Sequence, residues 1–405
     1  MIAAAPPLAL YVHLPWCVRK CPYCDFNSHV VPAAGIPRQA YLAALLEDLE
    51  FAAGGLGGRP LVSVFFGGGT PSLVEASAIG RIVERARELF PASTDLEVTL
   101  EANPGTVEHG RFTEYRDAGV NRVSLGAQSF DDRQLAALGR IHAAADTLAA
   151  VAELRAAGMD NFNLDLMYAL PRQSPEDALR DVECAIELAP AHVSHYQLTL
   201  EPGTAFERRP PPLPDDETSL AMQLASQQRL ADAGYPQYEV SAYAHPGRQC
   251  LHNLNYWRYG DYVGVGAGAH GKVTDTATGA VVRTARVRQP GRYLAAVRPE
   301  DRIEETRTVA TRELPFEFCL NALRLVEGFD AAMFEARTGL AWRSIEAPLA
   351  TAVARGLIAT TQGRWVPTAF GQRFLNDLQA LFLPEGAPAH AAMDDSAIAS
   401  GARMV

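Results

Sequence analysis

Cys17-Val-Arg-Lys-Cys21-Pro-Tyr-Cys24 sets three thiols within one short stretch, directly after the apolar run Leu8 to His13. A loop this short can wrap three thiolates around one face of a cubane iron-sulfur cluster and leave one iron without a protein ligand, the position where chemistry can occur. A zinc site is one alternative, but zinc normally takes four closed ligands. His13 and His29, which could complete such a set, lack a familiar ligand spacing. Burial of the cysteines as small hydrophobes is the other alternative.

Outward from this loop, short β-rich runs alternate with stretches of helical period. The strands expected are Leu8 to His13, Leu61 to Phe66, Leu96 to Glu101, Arg122 to Ala127, Phe162 to Met167 and Val193 to Leu200. Between them Leu and Ala recur at helical spacing over Arg38 to Ala53, Glu75 to Leu89, Ala143 to Ala157 and Pro175 to Leu188. Such alternation predicts an α/β fold with a parallel sheet, closed either as a curved partial barrel or as an open doubly wound sheet. Gly68, Glu101, Gln128 and Asp165 fall at or just after the carboxyl ends of different strands, the edge where both architectures place ligands.

The stiff connector Arg209-Pro-Pro-Pro-Leu-Pro214 marks a boundary. Residues 1–210 read as the barrel. Residues 211–304 read as its α+β extension, with a helix over Asp215 to Gly234, a flexible small-residue segment over Gly264 to Gly271, and strands near Gly271 and Val281. Residues 305–382 suit a small winged-helix-like module with a strand pair within Leu357 to Pro367, and residues 383–405 a disordered tail.

The chain of 405 residues is 48% hydrophobic and 20% charged, with a formal net charge of -11, which disfavours an electrostatic grip on nucleic acid. The opening segment has no basic region and is broken by Pro6, Pro7 and Pro15, so it reads as neither a secretion signal nor a membrane span. A cytoplasmic location is therefore expected, where six cysteines are unsuited to a disulfide framework. Cys184 and Cys319 lie in helical patterns and are expected in cores.

The C-x-x-x-C-x-x-C spacing after a first strand resembles the radical S-adenosylmethionine superfamily. The resemblance implies a partial six-stranded β/α barrel, a 4Fe-4S cluster on Cys17, Cys21 and Cys24, and S-adenosylmethionine chelating the open iron for reductive cleavage. Phe66-Gly-Gly-Gly-Thr-Pro71 agrees, because Gly68 and Gly69 let backbone approach a ligand closely, with Thr70 beside them. Glu101, Gln128, Arg140 and Asp165 resemble residues of the coproporphyrinogen oxidase-like branch that bind the ribose, carboxylate and adenine. The same carry-over puts Tyr11 and Tyr23 near the cofactor, Tyr23 against the adenine, and adds Thr199. Each of these polar residues can equally be satisfied by its neighbours in a core.

Within that branch two families differ. The oxygen-independent coproporphyrinogen III dehydrogenases continue the motif to a fourth cysteine, where this chain has Phe26, and carry a longer amino-terminal segment. His252-Asn-Leu-Asn-Tyr-Trp257 instead resembles the H-N-x-x-Y-W signature of the heme chaperone family HemW. The resemblance implies heme as cargo, acceptor hemoproteins of respiration as partners, and His252 as axial ligand. Tyr256 and Trp257 would then offer flat apolar surface to the macrocycle. A hydrogen-bonded structural histidine is the alternative. Cys250 is a second candidate ligand but suits a buried thiol better. Peripheral membrane contact and a homodimer stay open, and a radical enzyme acting on RNA is disfavoured by the acidic balance.

Overall fold

Period-two alternation along the first six strands points apolar side chains one way and polar ones the other. In the computed structural model, which describes residues 4–56, 58–105 and 111–384, these strands are β1 (Leu8–Leu14), β2 (Leu61–Gly68), β3 (Ala92–Ala102), β4 (Arg122–Gln128), β5 (Phe162–Tyr168) and β6 (His192–Gln197). Each is parallel to the next, in chain order. That order never reverses, so the six lack the switch point of a doubly wound sheet and follow the winding of a barrel. The helices between them, Arg38–Ala53, Ala76–Leu89, Ala144–Ala156 and Pro175–Glu187, lie close to the expected spans. Leu8, Leu10, Val12 and Leu14 share a core with Tyr41, Leu45 and Leu49 of the first helix. The opposite set, including Ser63, Glu97, Arg122, Asn163 and His192, is buried and polar and lines the lumen.

The extension is continuous with this sheet. Strands β7 (Gln237–Glu239), β8 (Ala242–Ala244), β9 (Asp261–Val265), β10 (His270–Thr274), β11 (Val281–Arg286) and β12 (Ile303–Thr308) complete a twelve-stranded sheet ordered β12-β11-β10-β9-β1-β2-β3-β4-β5-β6-β8-β7. Its two ends do not pair, so the barrel is partial. β9 runs parallel to β1 and is buried along its length. This corrects the flexible segment expected over Gly264 to Gly271, where the glycines serve close packing. A Cβ at Gly266, whose φ is 99°, would lie 2.5 Å from the His13 carbonyl oxygen, and one at Gly268 would strike the Asn27 side chain. β12 also crosses the boundary expected at residue 305. Val193 to Leu200 is strand only to Gln197, because the chain then leaves the sheet.

The last module packs helices Leu314–Ala322, Ala331–Thr338 and Glu346–Ala354 around Phe318, Phe329, Phe334 and Leu349, followed by a hairpin of Ile358–Thr361 and Arg364–Pro367. This is winged-helix order. The Glu317 carboxylate joins the module to the sheet by accepting from Tyr259 Oη at 2.9 Å and Arg283 Nη2 at 2.8 Å. The tail expected over residues 383–405 lies outside the described residues from 385 onward.

A buried charge cluster fastens β9. Asp261 accepts from Lys272 Nζ at 2.9 Å, Arg59 Nη2 at 2.8 Å, and the Thr274 amide and hydroxyl, with the Asp261 and Lys272 side chains 0% and 2% exposed. Asp261→Asn strands the Lys272 ammonium, which costs about 3–5 kcal/mol when one member of a buried pair is lost. A lowered denaturant midpoint checks this, and an unchanged midpoint refutes it.

Candidate functional site

Parallel strands leave their carboxyl ends on one rim, and the loops leaving that rim enclose a cavity of about 460 Å³. Cys17, Cys21 and Cys24 all line it. Burial pushes the Cys17 thiol up to about 11 and raises Cys24 as well, with the Ser28 hydroxyl opposing the shift. Such thiols are neutral near neutral pH and become thiolates when a metal centre supplies compensating charge. Among the described residues no three His, Cys, Asp or Glu side chains converge on one ion position. A cubane makes a different demand, with each thiolate on its own iron, and three thiols from one loop fit it.

Opposite the thiols, Gly68 and Gly69 turn the chain out of β2. A Cβ at Gly68 would lie 2.6 Å from the His13 ring, and one at Gly69 would lie 2.5 Å from the Trp16 carbonyl oxygen, so only glycine fits. The Gly69 and Thr70 amides donate to Leu14 and Trp16 carbonyls at 2.8 and 2.7 Å, locking this turn against the cysteine loop. Arg140 ties the same parts together. Its Nη1 donates to Cys21 Sγ at 3.7 Å and its Nη2 to the Gly126 carbonyl at 3.0 Å and to Asn103 Oδ1, while Asn103 Nδ2 donates to Thr70 Oγ1 at 3.0 Å.

Gln128 closes β4 with φ at 67°, in the left-handed region a non-glycine residue seldom adopts, and its side chain faces the cavity. Tyr23 lines the cavity and packs on Phe206, their ring centres 6.4 Å apart. Thr199 lies on the wall beyond β6, its hydroxyl donating to Glu201 Oε1 at 2.7 Å. Glu101 accepts from the Gly68 amide at 3.1 Å. Desolvation, then the nearby Asp165 carboxylate, lifts Glu101 to about 8. Desolvation also raises Asp165, against hydrogen bonds from Asn163 and Ser124. Two carboxyl groups in this state suit a cationic ligand, whose charge lets both ionise.

The structure does not bring Tyr11, His252, Tyr256 and Trp257 to this cavity. Tyr11 lies mid-strand in the lumen, its hydroxyl 3.0 Å from His13 Nδ1. The His252-Asn-Leu-Asn-Tyr-Trp257 segment is a helix, Leu251–Trp257, that plugs the lumen, with His252, Tyr256 and Trp257 only 3%, 8% and 3% exposed. His252 Nδ1 is 2.9 Å from Ser63 Oγ, and its ring stacks on Phe65 at 4.8 Å. Burial, then Arg122, lowers His252 to about 3, so its imidazole is neutral. Glu97 caps the helix, accepting from the Leu251 and His252 amides at 3.0 and 3.1 Å and from Cys250 Sγ at 3.4 Å. Cys250 is thus a buried thiol, and Cys319 lies in the last module's core.

Several wall residues escaped the sequence reading. Asn103 sits in the same Leu-Glu-Ala-Asn-Pro run as Glu101, and Ser124 and Tyr196 occupy inward positions of β4 and β6, so period two could have found them. Arg324 belongs to the last module, and no local pattern marks it.

Glu101 offers a pH test on the cofactor-free chain. Unfolded, its carboxyl ionises near 4.5; folded, it holds its proton to about 8, so the parent loses stability as pH rises through that interval. Glu101→Gln keeps an acceptor for the Gly68 amide and removes the Glu101 share of the loss, leaving that of Asp165. The variant's melting temperature should gain on the parent's between those two pH values, and a pH-independent difference would show that Glu101 is already ionised.

Residues 11–185 match the radical SAM superfamily and residues 309–374 the HemN C-terminal domain. The heme chaperone HemW of Escherichia coli (strain K12) is 48% identical over 385 residues, covering 94% of this chain and 99% of that protein. HemW of Haemophilus influenzae is 46% identical over 384 residues, with the same coverage of 94% and 99%. The bovine radical S-adenosyl methionine domain-containing protein 1, mitochondrial, is 40% identical over 287 residues, 69% of this chain and 64% of its own. Among solved structures, the coproporphyrinogen III oxidase (HemN) of Escherichia coli superposes with a TM-score of 0.78 over 93% of this chain and 90% of that one, at 23% identity, a likeness of fold. Because identity to the chaperones runs through barrel, extension and final module together, the chain belongs to the HemW family of the radical SAM superfamily.

Proposed function

We propose that this protein binds heme and hands it to acceptor hemoproteins, carrying a 4Fe-4S cluster on Cys17, Cys21 and Cys24 with S-adenosylmethionine beside it. The observation that carries the reading is near-full-length identity of 48% to a heme chaperone, joined to a cavity walled by three thiols. When bound, such a cluster supplies electrons to S-adenosylmethionine. The thiols would hold it, with Arg140 setting a positive charge beside Cys21. Gly68, Gly69 and Thr70 would admit the methionine end to close backbone approach, and Glu101 and Asp165 would balance its positive charges. Gln128, Tyr23 and Thr199 would position the nucleoside, with Tyr11 supporting the wall from the lumen.

His252 is our candidate heme ligand because it opens the His252-Asn-Leu-Asn-Tyr-Trp257 signature, and its neutral imidazole is able to coordinate iron. To reach a heme iron His252 must leave the Ser63 contact and the first turn of the Leu251–Trp257 helix must leave the Glu97 cap. The acceptors we infer are respiratory hemoproteins met at a membrane surface; among the described residues no helix is long and apolar enough to cross one.

Anaerobic heme titration of cluster-reconstituted protein, followed by absorption, tests the reading. Saturable binding is expected, weakened roughly tenfold or more, about 1.4 kcal/mol, by His252→Ala without loss of cluster iron. Replacing Cys17, Cys21 or Cys24 by Ser should deplete that iron. A parent that binds no heme, yet decarboxylates coproporphyrinogen when reduced, would replace the chaperone by the dehydrogenase.

A further inference from the structure

Among the described residues Arg324 is the one member of the cavity wall supplied by the last module; the other lining residues fall between Cys17 and Ser241. It follows the Leu314–Ala322 helix in a loop held to the sheet edge, where Leu325 bridges Glu239 and the Val326 amide donates to the Tyr238 carbonyl at 3.0 Å. The guanidinium lies over the barrel's plug, its central carbon 4.3 Å from the centre of the Trp257 ring. Its hydrogen-bonding capacity is largely unspent. Nη2 donates to Glu239 Oε2 at 3.4 Å, Nε is buried with no hydrogen-bond partner among the described residues, and the side chain as a whole remains 23% exposed. Glu239 shares its carboxylate, its other oxygen accepting the Ser241 amide at 3.1 Å.

A guanidinium held over an aromatic ring with its terminal nitrogens toward a cavity suits a carboxylate, the group guanidinium ions grip through paired hydrogen bonds. Two ligands of the proposed function bear one, S-adenosylmethionine through its methionine end and heme through its propionates. Position separates them. Arg324 is anchored on β7, at the far end of the strand order from β1, which leads into the cysteine loop. A methionine group held at the thiols would not need a cation there, whereas a macrocycle spans such a cavity.

We infer that Arg324 binds a propionate of heme, and that Trp257 is the platform that positions it. The inference rests on the heme-carrier reading and gives the last module a share in the ligand site. It also gives the Trp of the plug helix a task that does not require the helix to leave the lumen.

The test titrates reconstituted parent and Arg324→Gln with heme, with heme dimethyl ester, whose propionates are blocked, and with S-adenosylmethionine. Cluster iron and melting temperature are read on both proteins. The expected result is heme binding weakened about tenfold in the variant, as for loss of a charge-assisted contact, with the diester and S-adenosylmethionine bound as in the parent. Equal heme affinity in the two proteins overturns the inference. So does an equal loss for heme and diester, which marks a structural role, or a loss confined to S-adenosylmethionine, which assigns the guanidinium to the methionine carboxylate. A parent that binds neither porphyrin removes the heme reading itself, and this inference falls with it.

Discussion

A half-barrel with a polar inner face cannot be packed from inside by an ordinary apolar helix. Glu97, Arg122, Asn163 and His192 all project into the lumen and are all buried. The fold meets this with chains of hydrogen bonds. Tyr238 Oη is 2.8 Å from His192 Nε2, His192 Nδ1 is 2.7 Å from Asn163 Oδ1, and Asn163 Nδ2 donates to Asp165 Oδ1 at 2.7 Å. None of the three nitrogens of the Arg122 guanidinium has a hydrogen-bond partner among the described residues, and burial disfavours its charge while Cys250, Glu97 and Asp165 favour it. The plug helix belongs to the same solution, since the Glu97 carboxylate that faces this cation also caps its first turn. Buried polar networks of this kind are costly where incomplete, and Arg122 is the gap in this one.

The cavity is the uppermost layer of that lumen. Counting by two along β3 leads from Glu97 to Glu101, along β4 from Arg122 to Ser124 and Gly126, and along β5 from Asn163 to Asp165 and Met167. The alternation that keeps helices on the outside therefore delivers the chemistry to the rim. Asp165 belongs to both layers, taking a hydrogen bond from Asn163 below while its charge acts on Glu101 at the cavity. Events at the rim and packing of the plug thus share a wall of side chains.

Much of this was legible in the chain. Helix Arg38–Ala53 has the span its periodicity predicts, because its buried side chains recur at helical spacing against β1. The six parallel strands were legible for the same reason. Their unreversed order was not, since periodicity carries no information about which strand neighbours which. β9 was hidden by its glycines, which resemble a loop until the backbones they admit are seen. At the site, thiol spacing and strand-end position identified the cluster loop, the glycine turn and the carboxylates. The burial of His252 and the arrival of Arg324 depend on tertiary packing between elements far apart in sequence, and no local window contains them.

Asn27, just past the cysteine loop, donates from Nδ2 to the carbonyls of Ala267 and Arg288, separations of 240 and 261 residues. β1, which leads into the loop, likewise waits for β9 to cover its outer edge. During synthesis the ribosome therefore releases the cysteine loop long before the segments that brace it exist. The emerging chain carries an uncovered strand edge and an unbraced set of thiols until the extension has been made. The loop is thus translated well before its bracing partners, and its braced form waits on contacts of high sequence separation, the kind that slow folding.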